Sequence, residues 1–311
     1  SWKIMLKNCL LTLGVVIIIV AIYFPTRHAR HYNYITIDKI YKEIELRKPK
    51  NSESNLKTCT YQELILKNAD IEISTVMERK PFQQPYAGGE FKPNECMALI
   101  KTALIVPYRN RTQQLNIFLN YMHYFLQKQN IHYRIFIVFQ NDTLPFNRAK
   151  MLNYGAKLAI SLKYDCLILH DIDLLPLNTG NIYACSKLPR HMSSSLDTFR
   201  YNLPYLTLFG GAISILSRQY QKINGMSNNF FGWGGEDDDF YRRLMANGLK
   251  PCRFSPEVSK YTMLPHEKEK ANQGRFKALE DSVDRHKVDG LNSLPHQYSI
   301  KLEDLYTQII V

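Results

Sequence analysis

CLILHDID, residues 166–173, is a short unbroken apolar run that ends in two aspartates, Asp171 and Asp173, flanking Ile172. A run of this length fits a strand covered on both faces. Carboxylates just beyond the carboxyl end of such a strand sit where open α/β sheets bind ligands. Upstream, TALIVP (102–107) is a second run of the same kind, followed by Tyr108-Arg109-Asn110-Arg111 and then by Leu115, Phe118, Leu119, Met122 and Leu126. Those spacings draw one apolar helical face. YRIFIVFQ (133–140) reads as a third strand and residues 147–162 as a second helix, so strands and helices alternate as in an α/β fold with a mostly parallel sheet. Downstream, Gly232-Trp233-Gly234-Gly235-Glu236-Asp237-Asp238-Asp239 precedes FYRRLMANG. The acids fall in the first turn of an expected helix, Arg242 and Arg243 in its second half and Gly248 at its end, as the helix dipole and capping favour. Three glycines around Trp233 make a hinged loop with an aromatic lid.

The chain has 311 residues, 45% apolar and 22% charged, which fits a globular protein and excludes a disordered polyampholyte, a collagen and a polytopic membrane protein. Its net charge of +12 favours anionic partners without naming one. Residues 9–24, CLLTLGVVIIIVAIYF, are uncharged and would span about 24 Å as a helix, so they are read as a membrane anchor behind a cytosolic tail at residues 1–8. A cleaved secretory signal is disfavoured because no small-x-small site follows Phe24. Residues 25–58, rich in Lys, Arg, Glu, Asn and Ser with only IYKEIEL (40–46) suggesting a helical turn or two, read as a stem, leaving residues 59–311 as a single large domain. Cys59, Cys96, Cys166, Cys185 and Cys252 follow the anchor, allowing two disulfides and one free thiol in an oxidising lumen.

Asp171-Ile172-Asp173 suits a hard divalent cation held against a nucleotide diphosphate, and His266 offers an imidazole that tilts the preference toward Mn²⁺. His266-Glu267-Lys268-Glu269-Lys270 lacks the second histidine of a zincin, and the three consecutive aspartates lack EF-hand spacing. Basic residues are scattered rather than clustered, so nucleic acid is not an expected partner.

Pro107-Tyr108-Arg109-Asn110-Arg111, Phe146-Asn147-Arg148-Ala149-Lys150, Asp171-Ile172-Asp173, Phe209-Gly210-Gly211, the Gly232–Asp239 block and Asp289-Gly290-Leu291-Asn292-Ser293 together, in this order, resemble the β-1,4-galactosyltransferase family over roughly residues 59–311. The resemblance implies a type II Golgi glycosyltransferase of the GT-A fold, a Rossmann-like α/β architecture, that uses a UDP-sugar and Mn²⁺ and inverts the anomeric centre. It implies Asp173, Met263 and His266 as metal ligands and Asp237 as catalytic base. Pro107, Arg109, Arg111, Phe146, Arg148, Asp171, Ile172, Asp173, Gly211 and Trp233 would line the UDP-sugar site. Tyr205, Glu236, Asp238, Arg275, Phe276 and Leu279 would hold the acceptor. Cys59 with Cys96 and Cys166 with Cys185 match the family's two disulfides.

One departure concerns the donor. Members that transfer galactose carry Tyr before Phe-Gly-Gly, and this chain carries Leu208. Resembling invertebrate members with an aliphatic residue there transfer N-acetylgalactosamine, and loss of a phenol beside the sugar's C2 makes room for an acetamido group. The expectation is UDP-GalNAc as donor with UDP-Gal retained, and terminal β-linked GlcNAc of glycoproteins or glycolipids as acceptor. The alternatives are a galactosyltransferase acting on GlcNAc or on xylose, and, from another class, a non-catalytic lumenal carbohydrate-binding protein. A homodimer or a specificity-modifying partner protein is left open.

Overall fold

The computed structural model describes residues 2–30, 34–47, 56–266 and 271–311. In chain order it forms α1 (Trp2–Arg30), α2 (Ile37–Glu45), α3 (Gln62–Leu66), β1 (Glu90–Phe91), β2 (Lys101–Tyr108), α4 (Thr112–Leu126), β3 (His132–Phe139), α5 (Arg148–Ser161), β4 (Cys166–His170) and β5 (Leu174–Pro176). There follow β6 (Arg190–His191), β7 (Ser195–Leu196), β8 (Ala212–Leu216), α6 (Ser217–Lys222), α7 (Glu236–Ala246), β9 (Lys260–Met263), α8 (Arg275–Glu280), α9 (Ser282–Arg285), β10 (Ser299–Leu302) and β11 (Thr307–Ile310).

The main sheet runs β10-β11-β3-β2-β4-β8-β6, with β1 paired to β3, and a second sheet runs β5-β9-β7. β2, β3, β4 and β11 are parallel, and β8 returns antiparallel to β4. Period-two alternation explains why the strands read as unbroken apolar runs. Leu104, Val106, Ile135, Ile137 and Ile168 share one core with α4, whereas Ala103, Ile105, Phe136, Val138, Leu167 and Leu169 share the opposite core with α5. The helical face expected from Leu115, Phe118, Leu119, Met122 and Leu126 is buried as a whole. Helix α5 lies so close to β2 that a Cβ at Gly155 would meet Ile105 Cγ2 at 2.3 Å. Pro107 is accommodated near the end of β2 because pairing with β4 stops at Ile105.

Two boundaries differ from the sequence reading. Helix α1 runs without a break from Trp2, and Trp2–Tyr23 has a mean hydropathy of 2.4 with none of it buried, so the expected tail at 1–8 and span at 9–24 are one helix. At about 33 Å, this stretch is by length and composition able to cross a membrane. The second difference lies in the expected stem, 25–58, of which residues 31–33 and 48–55 lie outside the described residues. Helix α2 within it is capped by Thr36 Oγ1, which accepts from Lys39 N, and buries Ile40, Tyr41 and Ile44 in the α4-side core. Arg47 Nη2 donates to Cys185 O at 2.6 Å, and Ile35 N to Arg253 O at 2.8 Å. The packed body thus includes residues 34–47 and does not start at 59. The helical turn expected at IYKEIEL is present, and its three apolar residues find a partner that only the folded domain supplies.

Cys59–Cys96 and Cys166–Cys185 are disulfide-bonded, with Cα atoms 4.9 and 5.4 Å apart. Cys252 is a buried free thiol. Since Ile44 is fully buried, Ile44→Ala is expected to cost about 2–4 kcal/mol. A fragment beginning at residue 50 should melt well below one beginning at residue 34; equal melting temperatures would show that α2 contributes nothing to the domain.

Candidate active site

At the carboxyl ends of β2, β3 and β4 the chain presents Arg109 and Arg111, the Phe146–Arg148 entry to α5, and Asp171 to Asp173. Helix α5 is capped by Asn147 Oδ1, which accepts from Lys150 N at 2.9 Å, and this cap sets Arg148 at the first helical position. The Arg148 guanidinium then gathers carboxylates from two distant segments. Its Nε donates to Asp171 Oδ1 at 2.6 Å and its Nη1 to Asp237 Oδ1 at 2.9 Å, with Glu236 Oε1 3.9 Å away and the Gly211 carbonyl 3.4 Å from Nη2. The arginine side chain is only 12% exposed, so the carboxylates hold its charge firmly.

Three carboxylates around one cation leave excess negative charge. Burial, reinforced by Glu236, Asp171 and Asp238 and opposed by Arg148, pushes Asp237 up to about 8. Burial also raises Glu236, whose Oε2 is enclosed without a hydrogen-bond partner. The first turn of α7 carries both acids, and Gly235 (φ +97°) and Gly234 (φ +102°) turn the chain into it. Gly210 was not singled out as a site residue in the sequence. A Cβ there would lie 2.1 Å from Asp237 Oδ2, so its backbone forms the floor beneath that carboxylate. The paired glycines of Phe209-Gly210-Gly211 were the available signal. Gly211 (φ +72°) accepts from Asp171 N at 3.1 Å through its carbonyl, tying the two strands' ends together.

On the other side of Asp171, Asp173 Oδ2 lies 2.9 Å from His266 Nε2. Burial and then Asp171 push Asp173 up to about 6, against the opposing pull of His266 and Arg111. β5–β9 pairing sets Met263 opposite Leu174, next to Asp173. Asp197, also missed in the sequence, holds that strand end by accepting from Thr262 Oγ1 at 2.5 Å and from Met263 N at 3.2 Å. Among the described residues no group of three or more His, Cys, Asp or Glu could hold a metal ion. Asp173 and His266 could hold a cation here, with Met263 beside them in the strand register and the remaining positions open. The carboxylate and imidazole suit Mn²⁺, and the crowding of Asp173 by Asp171 is relieved by positive charge, so the residues fit such an ion.

The remaining expected residues surround this centre. Arg109 lies over Phe146, 5.2 Å from the ring, and donates to Leu144 O at 2.6 Å. Ile172 is buried. Trp233 is 56% exposed, its backbone bridged to Ala271. Arg275 lies between the Trp233 and Phe276 rings, 5.2 and 4.7 Å from their centroids. Tyr205 OH donates to Asp238 Oδ1 at 3.4 Å, and the Leu279 carbonyl accepts from Arg242 at 2.8 Å. Leu208 is half-buried in the turn closed by its N–H to Tyr205 O. Asp239 stands apart. It is fully buried between Arg243 (2.8 Å) and His286 (3.0 Å), and Arg243 continues to the Asp289 carbonyl at 2.7 Å. The third aspartate and the Asp289 segment are thus scaffold beneath α7.

A family model for the N-terminal region of glycosyl transferase group 7 matches residues 53–186, and one described as the N-terminal domain of galactosyltransferase matches residues 190–267. The chain is 41% identical over 227 residues to β-1,4-galactosyltransferase 6 of Rattus norvegicus, covering 72% of this chain and 59% of that protein. It is 38% identical over 255 residues to β-1,4-galactosyltransferase 4 of Cricetulus griseus, covering 80% and 73%. It spans about three fifths of the length of the first curated relatives it matches. The solved catalytic domain of Drosophila β1,4-galactosyltransferase 7 in complex with xylobiose superposes with a TM-score of 0.57 at 30% identity, covering 68% of this chain and 92% of that one. A mutant of the same enzyme, solved with manganese, UDP-Gal and xylobiose, gives 0.56 at 29% identity. The mixed α/β sheet is that of the GT-A glycosyltransferases.

The raised Asp237 has a consequence for stability. Its folded pKa of about 8 exceeds the ordinary aspartate value of 3.8, so the folded state binds more protons between those values and stability falls as pH rises through that window. Asp237→Asn removes this penalty. The melting temperature of Asp237→Asn relative to wild type should therefore climb between pH 4 and pH 8 and level off above; a difference independent of pH would show that Asp237 ionises normally.

Proposed function

The chain belongs to the β-1,4-galactosyltransferase family, glycosyl transferase group 7, and from this we propose that it is an inverting, metal-dependent hexosyltransferase that moves a sugar from a UDP-sugar in β-1,4 linkage to a terminal sugar hydroxyl. The observation that carries the reading is the convergence on Arg148 of Asp171, Glu236 and Asp237, beside the Asp173–His266 pair. We place the enzyme in the Golgi membrane as a single-pass type II protein, with α1 as anchor and the α/β domain in the lumen.

In this reading Asp237 takes the proton of the acceptor hydroxyl as it attacks the anomeric carbon. A raised carboxylate suits that task, since a base must hold the proton it receives. Arg148 orients Asp237 and offsets its repulsion from Asp171. Arg109, Arg111 and Phe146 take the nucleotide, and Trp233 closes over the donor on its glycine-flanked loop. Asp173, Met263 and His266 would hold Mn²⁺, which would supply positive charge for the departing UDP. Glu236, with its enclosed unpartnered oxygen, Asp238 and Tyr205 receive the acceptor, and Arg275, Phe276 and Leu279 form its outer edge.

The donor assigned is UDP-GalNAc, with UDP-Gal retained, because Leu208 stands where galactose-transferring members carry tyrosine. The acceptor assigned is terminal GlcNAc. A second reading, transfer of galactose to xylose, is favoured by the likeness to the Drosophila enzyme solved with UDP-Gal and xylobiose. A xyloside acceptor assayed beside a β-GlcNAc glycoside separates the two.

Three outcomes are expected. kcat/KM should rise with pH toward a plateau above about 8 as Asp237 ionises. Asp237→Asn should lower kcat by about 10² to 10⁴ with donor affinity retained; retained turnover would remove Asp237 as the base, and product-independent sugar binding with no transfer in wild type would favour a lectin. Leu208→Tyr should turn donor preference toward UDP-Gal, measured as the ratio of kcat/KM for the two donors.

A further inference from the structure

Residues 205–210 carry Tyr205, Leu208 and the floor under Asp237, yet they form neither helix nor strand. Something other than a backbone ladder must hold them. Beneath them lies Arg253, 1% exposed. Its Nη2 donates to Leu208 O at 2.5 Å and to Leu206 O at 3.2 Å, and its Nε donates to His191 Nδ1 at 3.0 Å. His191 is itself buried, and burial pushes it down to about 3, so the ring is neutral and Nδ1 is free to accept. The Gly210 backbone also acts on the His191 ring, and the Gly210 carbonyl accepts from Ser193 Oγ at 3.2 Å. Carbonyls 206 and 208 both turn toward Arg253, and the Gly210 backbone influences its partner His191. Phe209, between them, packs its ring 5.9 Å from Phe240 and 5.7 Å from His191.

A planar guanidinium presents several donors in a fixed fork, so it can hold two carbonyls and an imidazole at once, whereas an ammonium cannot reproduce that geometry. The fork's two branches end at different places. One holds the backbone of Leu208, the other reaches Gly210, whose Cα sits against Asp237. We propose that Arg253 is a positioning residue for donor selectivity, clamping the 206–208 backbone directly so that Leu208 defines the wall of the sugar site, and that His191 passes the same restraint to Gly210 and so to the placement of Asp237. Arg253 touches no reacting atom; it acts through the loop. The part concerning selectivity rests on the donor assignment to Leu208, and the part concerning the loop does not.

The full-length chain in detergent, as wild type, Leu208→Tyr, Arg253→Lys and His191→Phe, is assayed with Mn²⁺, a β-GlcNAc glycoside and either UDP-GalNAc or UDP-Gal, and hydrogen exchange is followed in the peptide spanning 204–210. Arg253→Lys is expected to bring the donor ratio of kcat/KM at least tenfold closer to one, chiefly through donor KM, and to speed exchange at the Leu208 amide at least tenfold. His191→Phe is expected to lower kcat at least tenfold for both donors with their ratio within twofold of wild type. If Leu208→Tyr moves the donor ratio and Arg253→Lys does not, the clamp is overturned. If Leu208→Tyr leaves the ratio unchanged, the donor assignment has failed, and exchange alone then judges the clamp: unchanged protection at 204–210 in Arg253→Lys overturns it. Should Arg253→Lys not fold, exchange in His191→Phe takes its place, with faster exchange at 208–210 supporting the restraint and unchanged exchange overturning it.

Discussion

Arg148 gathers two carboxylates, Asp171 and Asp237, that the chain places 23 and 89 residues away from it. Like charges brought together in a poorly solvated cleft repel strongly, and without a cation among them the end of β4 and the start of α7 could not share one wall. The guanidinium's fixed fork sets their relative orientation as well as their charge balance. Around that contact the rest of the site is arranged: the α5 cap that places Arg148, the Gly210–Gly211 backbone that lets Asp237 and Asp171 approach, and the buried Asp239–Arg243–Asp289 knot that anchors α7 from below.

The same contact leaves the cleft short of positive charge. Asp173 and Asp237 are both held above the ordinary carboxylate range, on either side of Asp171. In the proposed function, a cation at Asp173 and His266 and a proton passing to Asp237 would answer the two halves of that imbalance separately, with charge neutralised at the leaving group and a proton removed at the nucleophile. Rigid parts and free parts divide along the same line. The doubly covered sheet and its two cores hold Asp171 and Asp173, whereas Trp233 and Tyr205 are exposed on irregular segments and Phe276 on the short helix α8.

Much of this architecture was legible along the chain because it is governed by local periodicity. The runs at 102–107, 133–140 and 166–170 became β2, β3 and β4, and the α4 face was given by residue spacing alone. The glycine-rich turn into the acidic start of α7 was equally plain, since only glycine takes the positive φ that Gly234 and Gly235 adopt without strain. Charge composition led residues 34–47 to be read as stem: the helical turn at IYKEIEL was visible, but not that its three apolar side chains are enough to dock it onto the domain.

The amino-acid order by itself therefore specified which segments are strands and helices, where the chain turns, and which acidic residues stand at the ends of buried elements, because these follow from interactions between near neighbours. Only the tertiary structure could decide that Arg148 joins Asp171 to Asp237, that Asp239 is buried scaffold while Asp237 faces the cleft, that α2 belongs to the core, and that Arg253 and His191 grip the Leu206–Gly210 backbone. Those contacts join residues tens of positions apart through desolvated charges and carbonyls, and no periodicity in the chain encodes which distant group each will meet.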